Sequence, residues 1–132
     1  MKKEEMMQVL VVRCGKEPEV QSIRNELDVM QAVVDGFIEP YYFTDEDDVV
    51  LICNEEGKFT KSLNRAVYGD DGRMIEVIGG DFFLCRAPKG SENFAGLTEE
   101  QTEKYLTMFR YPETFLKYGN DVLVCRAIPS DV

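Results

Sequence analysis

The chain has 132 residues, a single-domain length, and area scaling has about two-thirds of its extended surface buried on folding, so no disulfide or metal staple is required. Hydrophobic residues make up 44% and charged residues 30%, which excludes wholesale disorder. Lys and Arg total 15 against 25 Asp and Glu, a net charge of −10 that excludes ready binding to nucleic acid or anionic lipid, and the absence of histidine excludes Ser-His-Asp, Cys-His and HExxH chemistry.

In chain order, Met1 to Glu5 has no apolar region behind it and is not expected to be a leader. Gln8 to Cys14 is β-branched and reads as a strand, broken by Gly15 to Pro18. From Glu19 to Asp35, the residues Ile23, Leu27, Met30 and Val34 recur at helical spacing, which predicts one helix ended by Gly36. Phe37 to Phe43 reads as a strand, and Pro40 inside it predicts an edge position or a bulge. Thr44 to Asp48 is an acidic loop and Val49 to Cys53 a buried strand. Asn54 to Gly57 reads as a tight turn with Gly57 at positive φ, followed by Lys58 to Thr60 as the return arm of a hairpin or a short extension.

Leu63 to Val67 fits a helical turn or a loop, and Gly69 to Gly72 is a turn. Met74 to Val77 and Asp81 to Arg86 are strands separated by Gly79-Gly80, and Ala87 to Gly96 is a loop. Thr98 with Gln101 forms a capping box that opens a helix, with Thr102, Tyr105, Leu106 and Phe109 on one face and Pro112 as its stop. A further helical turn through Phe115 and Leu116 and a last strand at Val122 to Cys125 follow. Six or seven strands with two helices predict an α+β fold, one domain over 1–132 with a mainly antiparallel or mixed sheet.

Cys14, Cys53, Cys85 and Cys125 are spaced by 39, 32 and 40 residues and fit no zinc motif. Each ends an apolar run, as reduced structural thiols do in a cytoplasmic protein. No apolar stretch is long enough to span a membrane.

Candidate chemistry is sparse. Counted from Asp45, the calcium-loop positions six and twelve hold Val50 and Glu56, so the glycine of that pattern is missing and a solvated turn is expected. Glu56-Gly57-Lys58 with Asp47 and Asp48 resembles a nuclease acid-and-lysine set, but it straddles a glycine instead of lying on a strand. Asn64-Arg65 can clamp a carboxylate or phosphate, or can pair with Glu55, Glu56 or Glu76 to hold a long connection. Glu39 lies on the strand face opposite Ile38, either buried and paired or at the rim of a groove.

Taken as an ordered set, Gly36-Phe37-Ile38-Glu39, Asn54-Glu55-Glu56-Gly57-Lys58, Leu63-Asn64-Arg65, Ile78-Gly79-Gly80-Asp81-Phe82 and Leu97-Thr98-Glu99-Glu100-Gln101 resemble the domain-of-unknown-function family 3846, over about residues 8–110. A C-terminal extension, 111–132, lies beyond the resemblance. The resemblance implies a bacterial, cytosolic setting among phages and conjugative elements, and it brings no activity with it. No catalytic residue, metal ligand or cofactor is expected.

The leading expectation is a non-catalytic interaction or accessory protein of a mobile element. Its candidate binding residues are Glu39, Asn54, Glu55, Glu56, Lys58, Asn64, Arg65 and Asp81. Its partner is expected to be a protein, a basic host protein among the possibilities, with no direct nucleic-acid or membrane binding. One alternative is an acidic anti-defence inhibitor mimicking nucleic acid through Asp45 to Asp48, Asp70-Asp71 and Glu99-Glu100, which requires the fold to align them. Another is a small-molecule binding domain or enzyme that uses Glu39, Glu76 or Asp81 with Arg65 and requires a concave pocket in which they converge.

Overall fold

A computed structural model describes residues 5–126. The expectation for the N-terminal stretch lies almost wholly outside them, as does the end of the C-terminal extension. Five strands form an antiparallel sheet in the order β2-β1-β7-β4-β3: β1 Met6–Val12, β2 Glu19–Arg24, β3 Ile38–Tyr41, β4 Val49–Asn54 and β7 Phe82–Arg86. Two further hairpins pair β5 Leu63–Tyr68 with β6 Met74–Gly79, and β8 Glu113–Tyr118 with β9 Asp121–Arg126. The helices are α1 Leu27–Val34, α2 Gly57–Thr60 and α3 Glu99–Met108. The fold is α+β and antiparallel throughout the described residues.

The central strands are apolar at consecutive positions because both faces of the sheet are covered. Leu10, Val12, Leu51, Phe82 and Leu84 point to one face, under β5–β6 and the α3 residues Tyr105 and Phe109. Val9, Val11, Val50, Ile52, Phe83 and Cys85 point to the other, under Met30 and Val34 of α1. Rings meet edge to face in the first layer, Phe43 against Tyr105 at 5.7 Å and Phe82 against Phe109 at 5.5 Å.

Several elements stand where the sequence put them. Pro40 lies on the edge strand β3, Gly69 to Gly72 turns the β5–β6 hairpin, and Thr98 and Gln101 form the reciprocal capping box of α3. Other expectations are corrected. The stretch expected as one helix over 19–35 is a strand followed by a helix. Its first third alternates and pairs in register with β1, Ile23 opposite Met7, while Leu27 of the supposed helical stripe is 55% exposed. The left-handed residue ending α1 is Asp35, at φ 56°, with Gly36 following it. Lys58 to Thr60 belongs to the short helix α2, not to a return arm. Leu63 to Val67 is strand, neither helical turn nor loop. The turn expected at Phe115 and Leu116 is the strand β8.

Gly57 does not have positive φ. It is needed for a close approach instead. A Cβ on Gly57 would run into the carbonyl of Gly79, and a Cβ on Gly79 would run into the carbonyl of Gly57. The start of α2 and the end of β6 therefore touch backbone to backbone, which only glycine permits.

The acidic loop is anchored instead of freely solvated. Asp47 accepts from the Tyr105 hydroxyl at 2.9 Å, Asp48 from Gln101 at 3.0 Å and Arg86 at 3.3 Å, and Asp70 from the Thr44 hydroxyl at 2.8 Å.

Candidate functional site

The expected site residues separate into two groups. Glu39, Asn54, Glu55 and Lys58 line one groove together with Tyr41, Cys53, Phe59 and Glu76, a space of about 350 Å³. Its floor is the outer end of the sheet. Glu39 stands opposite Cys53 and Tyr41 opposite Leu51, so strand alternation turns both side chains to the face covered by β5–β6. One wall is β6 and the other is α2, held together by the Gly57–Gly79 contact.

Lys58 crosses the groove to Glu76 at 2.7 Å, and the same carboxylate oxygen accepts from the Val77 N–H at 2.9 Å. Partial burial pushes the Glu76 carboxyl up, but the Lys58 hydrogen bond, the Val77 N–H and the Lys58 charge together outweigh it and hold the group below its ordinary range. The bridge's contribution to stability is thus present above the ordinary glutamate range and is lost as pH falls through the lowered value. Both partners are partly exposed, so it is a small contribution. Burial and the neighbouring Glu76 push the Tyr41 hydroxyl up, with Lys58 partly offsetting them.

Asn54 does two things. It lines the groove, and its amide donates to the Val34 and Asp35 carbonyls while its Oδ1 accepts from the Glu56 N–H, tying the end of α1 to the turn into α2. Glu56 is exposed at that turn and does not line the groove. Glu39 is at a rim, exposed, instead of buried and paired.

Asn64, Arg65 and Asp81 lie elsewhere. The Asn64 amide donates to the carbonyls of Val12 and Gly80, both at 2.9 Å. Arg65 is 1% exposed. Its guanidinium donates to the Phe109 carbonyl at 3.1 and 3.2 Å, to Asn64 Oδ1 at 2.8 Å and to the Lys16 carbonyl at 2.6 Å. Burial lowers its pKa, while the nearby Glu113 charge acts to raise it. Asp81 accepts from the Cys14 N–H at 3.0 Å. These residues join β1, β5, the β6–β7 turn and the end of α3. Neither arrangement expected of Arg65, an exposed anion clamp or a pairing with Glu55, Glu56 or Glu76, is formed. The convergence of Glu39, Glu76 and Asp81 with Arg65 does not occur either, because burying the guanidinium among carbonyls takes it out of the groove.

Sequence reasoning missed Tyr41 and Phe59. Tyr41 was legible, two residues from Glu39 on the same strand face. Phe59, 87% exposed, was hidden by the assignment of its segment to a strand.

The cysteines are free thiols. Cys53 donates to the Glu39 carbonyl at 3.5 Å, and burial with the Glu39 and Glu76 charges pushes it up to about 11. Burial pushes Cys85 up to about 12. Cys125 is exposed, against the expectation that all four are packed inside. With a maleimide at mildly alkaline pH, one fast-reacting thiol is expected in the native chain, and Cys125→Ser is expected to remove it. Fast labelling at Cys53 or Cys85 would contradict the packing described here.

No helix among the described residues is long and apolar enough to cross a membrane. No curated protein and no solved structure matches this chain. The family model described as "Domain of unknown function (DUF3846)" matches residues 7–110, which includes every strand of the central sheet and both walls of the groove. The chain therefore belongs to that family.

Proposed function

We propose that this chain is a non-catalytic interaction module, a cytoplasmic accessory protein of a mobile genetic element, and that the groove between β3, α2 and β6 is its docking surface. The observation that carries this reading is the convergence of Glu39, Glu55, Lys58 and Glu76, from separate parts of the fold, around an aromatic ring left 87% exposed. Buried aromatic and charged anchors supply most of the energy of protein interfaces, and Phe59 is set to become one. The chemistry of the groove suits recognition more than catalysis. Its thiol is held protonated and its lysine is already paired with Glu76. The mobile-element setting comes from the family resemblance.

One observation favours a second reading, an acidic inhibitor of a nucleic-acid-binding protein. The three acidic clusters are neighbours in the fold. Asp48 is bonded to Gln101 in the first turn of α3, Glu46 and Asp47 reach Lys104, and Asp70 bonds the acidic loop at Thr44. Glu99 and Glu100 lie in the same first turn of α3.

Affinity capture from bacterial lysate distinguishes the two. The groove reading expects a partner that withstands raised salt and is lost with Phe59→Ser. The acidic-face reading expects capture that disappears at high salt and with Glu99→Lys/Glu100→Lys, and is indifferent to Phe59→Ser. A partner unaffected by either change would overturn both.

A further inference from the structure

The groove opens along the last strand of the sheet, beyond which no described strand lies. The Phe37 carbonyl accepts from the Glu55 N–H at 3.0 Å, which fixes the alternation of the ladder. Glu39 and Tyr41 turn their backbone groups toward β4, and Ile38 and Pro40 turn theirs outward. Pro40 therefore removes no bond from the sheet. The outward edge consists of the Ile38 N–H and the carbonyls of Ile38 and Pro40. Exposed rings flank this edge, Phe37 at 68% and Tyr42 at 64%.

We propose that the occupant of the groove is an extended basic segment of a partner protein, added as a further strand on β3, with alternate Lys or Arg side chains set against Glu39 and Glu55. This rests on the docking role proposed above. An outward donor followed along the strand by two acceptors is complementary to an extended chain and not to a helix, whose backbone groups are used internally. The charge balance selects the side chains. Glu39, Glu55 and Glu76 face one ammonium, Lys58, which is already paired with Glu76. Tyr41 and Phe59 offer rings for the aliphatic stems and the cationic ends of the incoming residues. A second copy of the chain suits the edge poorly, because it would bring Glu39 and a net charge of −10 against their like.

The test is selection of short displayed random peptides on the whole chain, followed by affinity measurements of the enriched peptides on variants. Enriched sequences are expected to alternate basic and apolar residues. Ile38→Pro deletes the outward donor without touching the ladder to β4, and is expected to weaken binding by about twofold to tenfold, the worth of one hydrogen bond. Pro40→Val adds an outward donor and is expected to strengthen binding by a similar factor, a gain that misfolding cannot produce. Glu39→Lys is expected to weaken binding by about tenfold or more. Loss with Glu39→Lys but indifference to both backbone variants would overturn strand addition and leave the docking role standing. Peptides indifferent to Glu39→Lys, or no enrichment at all, would overturn both. A concentration-dependent dimer in sedimentation that Ile38→Pro abolishes would replace the basic segment with a second copy.

Discussion

Arg65→Met is expected to lower the free energy of unfolding by about 3–5 kcal/mol. The methionine keeps most of the side-chain volume, so little of the loss is cavity. The loss comes from acceptors. The carbonyls of Phe109 and Lys16 and the Oδ1 of Asn64 all accept from this one guanidinium, and the bonds to Phe109 and Asn64 are closed to water while that to Lys16 is part-buried. An abandoned buried acceptor costs about 1–3 kcal/mol, offset in part because the variant no longer carries a desolvated charge. For a domain whose whole stability is about 5–15 kcal/mol, this is a large fraction. Urea unfolding should show a lower midpoint with an unchanged slope. Arg65→Lys, which keeps the charge but not the fork, is expected to fall between the two. A loss below about 1 kcal/mol would mean that water reaches those carbonyls and that the layer is not sealed.

Gly57→Ala carries the second large effect, and there the sign is informative. At a helical position alanine is intrinsically better than glycine by about 1 kcal/mol, and Gly57 has no positive φ to forbid it. Propensity alone therefore predicts stabilisation. The contact with Gly79 predicts the reverse, because the new methyl group collides with backbone, which yields less readily than a side chain. We expect a net destabilisation of about 2 kcal/mol, the upper end of the overpacking cost less the gain in helix propensity. Gly79→Ala should behave alike, since its Cβ meets the same crossing from the other side. Both variants push α2 from β6 and should lengthen the Lys58–Glu76 bridge, so the groove should lose affinity together with stability. A stabilised Gly57→Ala variant would show that the two elements are free to separate.

Residues that act locally were the legible ones. Thr98 and Gln101 satisfy each other across one helical turn, and Pro40 declares an edge by what its ring forbids. Ile23 misled because its spacing to Leu27, Met30 and Val34 satisfies a helical period, while pairing with β1 decided the backbone there. Nothing local announces that pairing. Gly57 was marked as special for the wrong reason, since a close approach to a residue 22 positions away leaves no trace in its own neighbourhood. The same limit divided the site. Asn54, Glu55 and Lys58 are close in sequence, and the β3–β4 pairing brings Glu39 to them in the groove. Asn64 and Arg65 carry equally promising chemistry, but their side chains turn inward to serve carbonyls contributed by distant segments. Much of what resembles a family signature in this chain is a set of joints: Asn54 joins α1 to α2, Gly57 joins α2 to β6, and Asn64 joins β1, β5 and the β6–β7 turn.

One such joint lies past the end of the shared region. The family match stops at residue 110, yet the carboxylate that accepts from the Ala66 N–H, at 2.7 Å, belongs to Glu113 on the hairpin that follows. Glu113 is almost wholly buried and reaches Arg126 on the opposite strand of that hairpin. The outermost segment of the fold thus plugs a gap in an inner one. In this chain the evolutionary module and the folding unit have different borders. A graft of residues 7–110 into another protein would carry the groove but strip the Ala66 N–H of its carboxylate acceptor and uncover the strand that β8 packs against, unless the recipient supplied both.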